Sequence, residues 1–129
     1  ARDGYAYVAW CDDTSGNFEI FLKRSLDGGM SWQPVQGLTT NAGTSYRPSI
    51  VAVDSNVYVA WYDDTFGNDE ILLKRSPDSG VTWQSTQRLT TNAGSSVSPS
   101  VTAAGTNVYV AWGDDTFGNW EILFKRGSV

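Results

Sequence analysis

The chain has 129 residues, 40% of them apolar and 13% aromatic, enough for a dense core, and carries a formal net charge of −5. That charge disfavours nucleic acid, whose phosphates call for a basic face. The lone Cys11 excludes an intrachain disulfide framework, and no apolar run approaches the ~18 residues of a membrane helix.

Taken in chain order, the first unit opens at a turn, because Ala1-Arg2-Asp3 aligns with Ala52-Val53-Asp54 further on. Its landmarks are Val8-Ala9-Trp10, Asp12-Asp13-Thr14, Lys23-Arg24 and the segment Ser25 to Trp32. Trp10, Trp61 and Trp112 stand 51 residues apart, and so do the Asp-Asp-Thr and Lys-Arg landmarks. A fixed period near fifty predicts a repeat architecture. One repeat domain spans 1–129, with units at about 1–46 (partial), 47–97 and 98–129 (partial).

The second unit is the clearest. Pro48 to Val53 predicts a buried strand A, and Asp54-Ser55-Asn56 a turn. Val57 to Trp61 is continuously apolar and predicts strand B, covered on both faces. A polar loop runs from Asp63 to Asn68, followed by strand C, Glu70 to Arg75. Ser76 to Gly80 is a tight turn, and Trp83 to Leu89 a more polar strand D. Thr90 to Pro99 links to the third unit, which repeats A, B and C. No segment has the apolar period of a helix over three turns.

Four antiparallel strands per unit, more polar from first to last, predict an all-β chain of β-propeller blades, about two and a half per chain. Trp10, Trp61 and Trp112 then read as blade-packing residues, since symmetry repeats them among apolar neighbours.

Ser25-Leu26-Asp27-Gly28-Gly29-Met30-Ser31-Trp32 and Ser76-Pro77-Asp78-Ser79-Gly80-Val81-Thr82-Trp83 share the pattern Ser-x-Asp-x-Gly-x-Ser/Thr-Trp. The carboxylate can accept backbone N–H groups of its own turn, and Gly can take positive φ. The pattern resembles the Asp-box of the sialidase-like (BNR-repeat) β-propellers. With the VYVAW strand and the Leu-Thr-Thr-Asn-Ala-Gly linker, the resemblance covers essentially the whole chain. It departs in the third copy, where Gly127-Ser128-Val129 stands in the place of Ser-x-Asp. In that family the box is a structural turn remote from the active site. The resemblance therefore implies structural roles for Ser25, Asp27, Gly29, Trp32, Ser76, Asp78, Gly80 and Trp83, and a secreted or cell-surface location.

Catalytic members of that family use three arginines on the substrate carboxylate, a Tyr–Glu nucleophile pair and an Asp acid/base. That set is not found here. Arg24, Arg75 and Arg126 are one repeated position beside a repeated Lys, which reads as a blade surface or blade contact. Tyr46-Arg47-Pro48 echoes an Arg-x-Pro opening but lacks the intervening residue. The Asp pairs supply carboxylates identically in every unit, whereas catalysis needs unlike environments. Asp63, Asp64 and their equivalents could offer oxygen ligands to Ca²⁺, but the alternating spacing of a calcium loop is absent. Loop-fixing is the favoured reading, with no cofactor and no metal.

If the strands run up and down, the B–C loop and D-to-A linker open on one face, the A–B turn and Asp-box on the other. The copies differ most on the first face, at Cys11/Tyr62/Gly113, Ser15/Phe66/Phe117, Phe18/Asp69/Trp120, Tyr46/Val97 and Arg47/Ser98. Aromatics beside Asp and Asn suit a carbohydrate, so Tyr46, Arg47, Phe66, Asp69, Phe117 and Trp120 are the candidate ligand residues. The favoured function is a non-catalytic module binding glycans or a protein partner through this face. The alternative is a sialidase-type or other glycoside hydrolase, degenerate or part of a longer enzyme. An inventory of 3, 4 and 3 strands leaves open edges, which predicts a homodimer closing one ring, Gly127-Ser128-Val129 meeting the partner's opening segment. Twenty strands would make five full blades, or six with four of them short of a strand.

Overall fold

The computed structural model describes residues 3–128, and among them there are ten strands and no helix. The first sheet holds β1 (Ala6–Asp12), β2 (Glu19–Ser25) and β3 (Gln36–Gly37). The second holds β4 (Ser45–Val53), β5 (Asn56–Asp63), β6 (Glu70–Ser76) and β7 (Gln87–Arg88). The third holds β8 (Ser96–Ala104), β9 (Asn107–Asp114) and β10 (Glu121–Ser128). Strands lie in chain order within each sheet, and every pair is antiparallel. These are propeller blades: a complete one in the middle, flanked by one without its inner strand and one without its outer strand.

Two cores lie between the sheets. Ile20, Leu22 and Leu38 of the first blade meet Val59, Trp61 and Leu72 of the second. Tyr58, Ala60, Ile71 and Leu73 of the second meet Val101, Val108, Val110 and Trp112 of the third. This explains the unbroken apolar run in β5, because alternate residues of a strand point to opposite faces and here belong to two different cores. Lys74 donates to the Leu38 carbonyl and Lys125 to that of Leu89, each at 2.7 Å, so the repeated lysine is a clip between blades.

Two elements differ from expectation. The outer strand expected over Trp83 to Leu89 is a two-residue bridge, Gln87 and Arg88 opposite Leu73 and Leu72. Trp83 leaves the ladder to cover the core behind it, and its indole donates to Gln36 Oε1 at 2.8 Å. The inner strand starts at Ser45 rather than Pro48, with a register shift between Tyr46 and Ser49. Pro48 has no N–H for the ladder, and Arg47 takes φ 47°. Val97 to Ser100 repeats the shift, with Ser98 at φ 54°.

The far face of the third blade carries Ile122 and Phe124, 79% and 69% exposed, and that of the first carries Val8, 43% exposed. The expected junction between the chain's two ends falls on Ala1, Arg2 and Val129, which lie outside the described residues.

Candidate functional site

In the second and third blades, the B–C loop is tied to the linker that precedes the blade's inner strand. Asp63 is fully buried and accepts from Asn41 Nδ2 at 2.8 Å, from the Ser45 hydroxyl, and from the Thr65 amide and hydroxyl. Asp114 repeats this with Asn92, Ser96 and the Thr116 amide. Burial pushes Asp63 up, but these hydrogen bonds together outweigh it and hold the carboxyl below its ordinary range. Gly43 passes so close to Thr65 that a Cβ would lie 2.6 Å from the Thr65 backbone nitrogen, so only glycine fits. This packing holds the B–C loop and the linker together on one face. On the other, Ser79 N donates to the Ser55 carbonyl, bringing box and A–B turn together.

On the first face, most of the positions that differ between copies fall into one row across the blades. Phe18, ahead of β2, packs against Tyr46 with ring centroids 5.6 Å apart and planes inclined by 37°. Tyr46 packs tilted against Tyr62 at 5.3 Å, the two facing each other across β4 and β5. Asp69 follows, its carbonyl accepting from Ser96 N at the head of β8. Gly113 continues the row, with Val97 and Trp120 side chains against it. Beside the three packed rings, the bulge presents Arg47, exposed and in the left-handed region. The same bulge recurs at Ser98, so the turn belongs to the blade, and the side chain it presents is what differs between copies.

The electrostatics centre on the same spot. Burial raises Tyr62, with Arg47 opposing and Asp69 reinforcing the shift. Asp69 is raised by burial first, then by Asp64 and Asp63. A half-buried carboxyl raised above its ordinary range, an arginine and three packed rings thus share one patch.

Of the sequence candidates, Tyr46, Arg47, Asp69 and Trp120 fall in the row. Phe66 is placed elsewhere, its ring 4.1 Å beneath the guanidinium of Arg88 on the outer strand. Phe117, its copy, is 71% exposed. Phe18 and Tyr62 complete the row and were absent from the candidate set. Their variation between copies was visible, but only the strand register shows that they meet Tyr46.

The Asp-box residues lie on the opposite face. Asp78 accepts the Thr82 amide and hydroxyl at 2.8 and 2.6 Å and the Ser76 hydroxyl at 2.8 Å, while Ser76 also accepts Gly80 N. Ser25, Asp27, Gly29 and Ser31 repeat the pattern. Hydrogen bonds, chiefly from Ser31 and Thr82, lower Asp27 and Asp78 to about 2. Trp83 is partly buried, whereas Trp32 is 42% exposed. For calcium, no group of three or more His, Cys, Asp or Glu side chains converges among the described residues.

No protein-family model and no curated protein matches the sequence. Among solved structures, the chain is similar to the α-L-arabinanase of Penicillium chrysogenum, complexed with arabinobiose. The TM-score is 0.71 at 16% identity, over 99% of this chain, which spans 42% of the length of that β-propeller. At this identity the likeness is one of fold, and the chain is a three-blade portion of a β-propeller.

Proposed function

We propose that the chain is a sialidase-like, non-catalytic propeller module that binds carbohydrate through the row running from Phe18 to Trp120. The observation that carries this is the packing of Phe18, Tyr46 and Tyr62 beside Arg47 and Asp69. Sugar C–H faces pack on aromatic rings, and ring hydroxyls bond to carboxylates and guanidinium groups. A row of rings at 5–6 Å spacing suits an oligosaccharide chain better than a single sugar. Because the structural neighbour is an arabinanase bound to arabinobiose, arabino-oligosaccharides are the first probes, with sialosides second. A glycan array tests the reading: it expects at least one neutral or acidic oligosaccharide to be retained, and retention of none rejects it.

A glycoside hydrolase is the second reading, and the raised Asp69 favours it as a general acid. Its neighbour Asp63 supports binding instead, because it is fully buried and committed to four donors. Release of a fluorogenic arabinoside or sialoside, abolished by Asp69→Asn, would establish the hydrolase.

The module is read as completing its ring with a second copy. Ile122 and Phe124 repeat Ile71 and Leu73, which are seated on the third blade, and Val8 and Trp10 repeat Val59 and Trp61, which are seated on the first. A copy that sets its Val8 and Trp10 on Ile122 and Phe124 repeats the contact already made twice within the chain. Two such contacts related by a two-fold axis close a ring of six sheets, four of them three-stranded. Sedimentation at micromolar concentration expects a dimer, and a monodisperse monomer rejects it.

A further inference from the structure

The cleft between the second and third blades, on the Asp-box face, has a volume of about 440 Å³. Its walls include Tyr58, Leu73, Arg75, Gln87 and Leu89. Each lies 51 residues after a residue that surrounds the seated box between the first two blades. There, Tyr7 and Arg24 both donate to the Ser79 carbonyl at 3.2 Å. Gln36 accepts the Trp83 indole at 2.8 Å and donates to the Gly80 carbonyl at 2.9 Å. Leu22 and Leu38 form the core that Trp83 covers.

In the open cleft the same groups are present without that turn. Tyr58, only 3% exposed, has a hydroxyl with no hydrogen-bond partner among the described residues. Arg75, copy of Arg24, turns back to Asn56 Oδ1 at 2.6 Å. Gln87, copy of Gln36, is exposed. The neighbouring β10 is an edge strand at the place where β6 pairs with β7. An open edge accepts an added strand.

We propose that this cleft is a binding site for a tryptophan-tipped Asp-box hairpin, of the kind formed by residues 76–89, supplied from outside residues 1–129. The indole covers Leu73 and Leu89 and donates to Gln87. The turn carbonyls accept from Tyr58 and Arg75, and the outgoing strand pairs with β10. The site is separate from the carbohydrate row and does not depend on it.

The probe is a labelled peptide with the sequence of residues 76–89, titrated to millimolar concentration against the whole chain. Saturable binding is expected. Trp83→Ala in the peptide should weaken it at least about tenfold, and Tyr58→Phe or Gln87→Ala in the chain by several-fold. Because a free linear peptide pays an ordering cost, the same segment is also joined after residue 129 through a flexible linker, which raises its effective concentration to roughly millimolar. That fusion should melt higher than the parent, and its Trp83→Ala version in the added segment should not. Absence of both saturation and the Tm rise, or equal behaviour of the Trp→Ala versions, overturns the proposal.

Discussion

Tyr46 and Tyr62 face each other across β4 and β5 with ring centroids 5.3 Å apart and planes inclined by 32°. Phe18 of the preceding blade extends this pair to a triplet, which bridges two blades. Most of the residues around it differ from their repeat copies, while the buried Asp63 and Trp61 beneath it are repeated. The scaffold is thus repetitive and the surface it presents is not.

The repeated tryptophans are unequal in the fold, and stability should show it. Trp61 is fully buried between two blades, whereas Trp10 is partly exposed and rests on Phe21 with centroids 6.1 Å apart. Trp61→Ala should cost ~3–5 kcal/mol, as large core truncations do, and Trp10→Ala clearly less. Urea unfolding of the two variants checks the order.

Acid should unfold the chain in a defined window. Asp27 and Asp78 are lowered to about 2 from an ordinary 3.8, and Asp63 and Asp114 are lowered too. A lowered carboxyl contributes stability that is present above its unfolded value and lost as pH falls through the folded one. The melting temperature should stay level down to about pH 5 and then drop between about 4 and 2. Asp78→Ala should lower it at neutral pH and make the acid limb shallower, without altering glycan binding.

Asp69 has the opposite sign. Burial raises it, so its charged form costs stability at neutral pH, and that cost vanishes once acid protonates it. Asp69→Asn should melt higher than the parent at pH 7 and equally at about pH 3. The same variant should bind glycan less well. A Tm unchanged at pH 7 would contradict the stated environment.

Calcium should leave the fold as it is. The Asp63 carboxylate is committed to Asn41, Ser45 and Thr65, and Asp64 Oδ1 accepts from the Thr44 amide at 2.7 Å. Melting curves with excess Ca²⁺ and with a chelator should superimpose.

Much of this fold was legible in the sequence because the repeat carries it. The 51-residue step and the unbroken Val57 to Trp61 run predicted blades packed on both sides of β5, and strand C was placed within a residue. The outer strand was overestimated because Trp83 reads as a strand residue by propensity but is drawn off by Gln36, a partner 47 positions away. The bulge at Arg47 was missed since Pro48 looked like the start of a strand rather than an interruption. The candidate site was half legible. Variation between copies pointed to Tyr46, Arg47, Asp69 and Trp120, which the fold places in one row, but the meeting of Phe18 with Tyr46 spans two blades and depends on a register that no local pattern encodes.

In the proposed function the Phe18–Tyr46–Tyr62 triplet holds a sugar chain. Calorimetric titration of the strongest array ligand into the parent, Tyr46→Ala and Tyr62→Ala tests it most directly, with Trp32→Ala as the control on the opposite face. Each tyrosine variant should stay folded and lose affinity by about tenfold or more, as removal of a ring that packs on the sugar does, while Trp32→Ala should bind like the parent. Unchanged affinity in both tyrosine variants would contradict it.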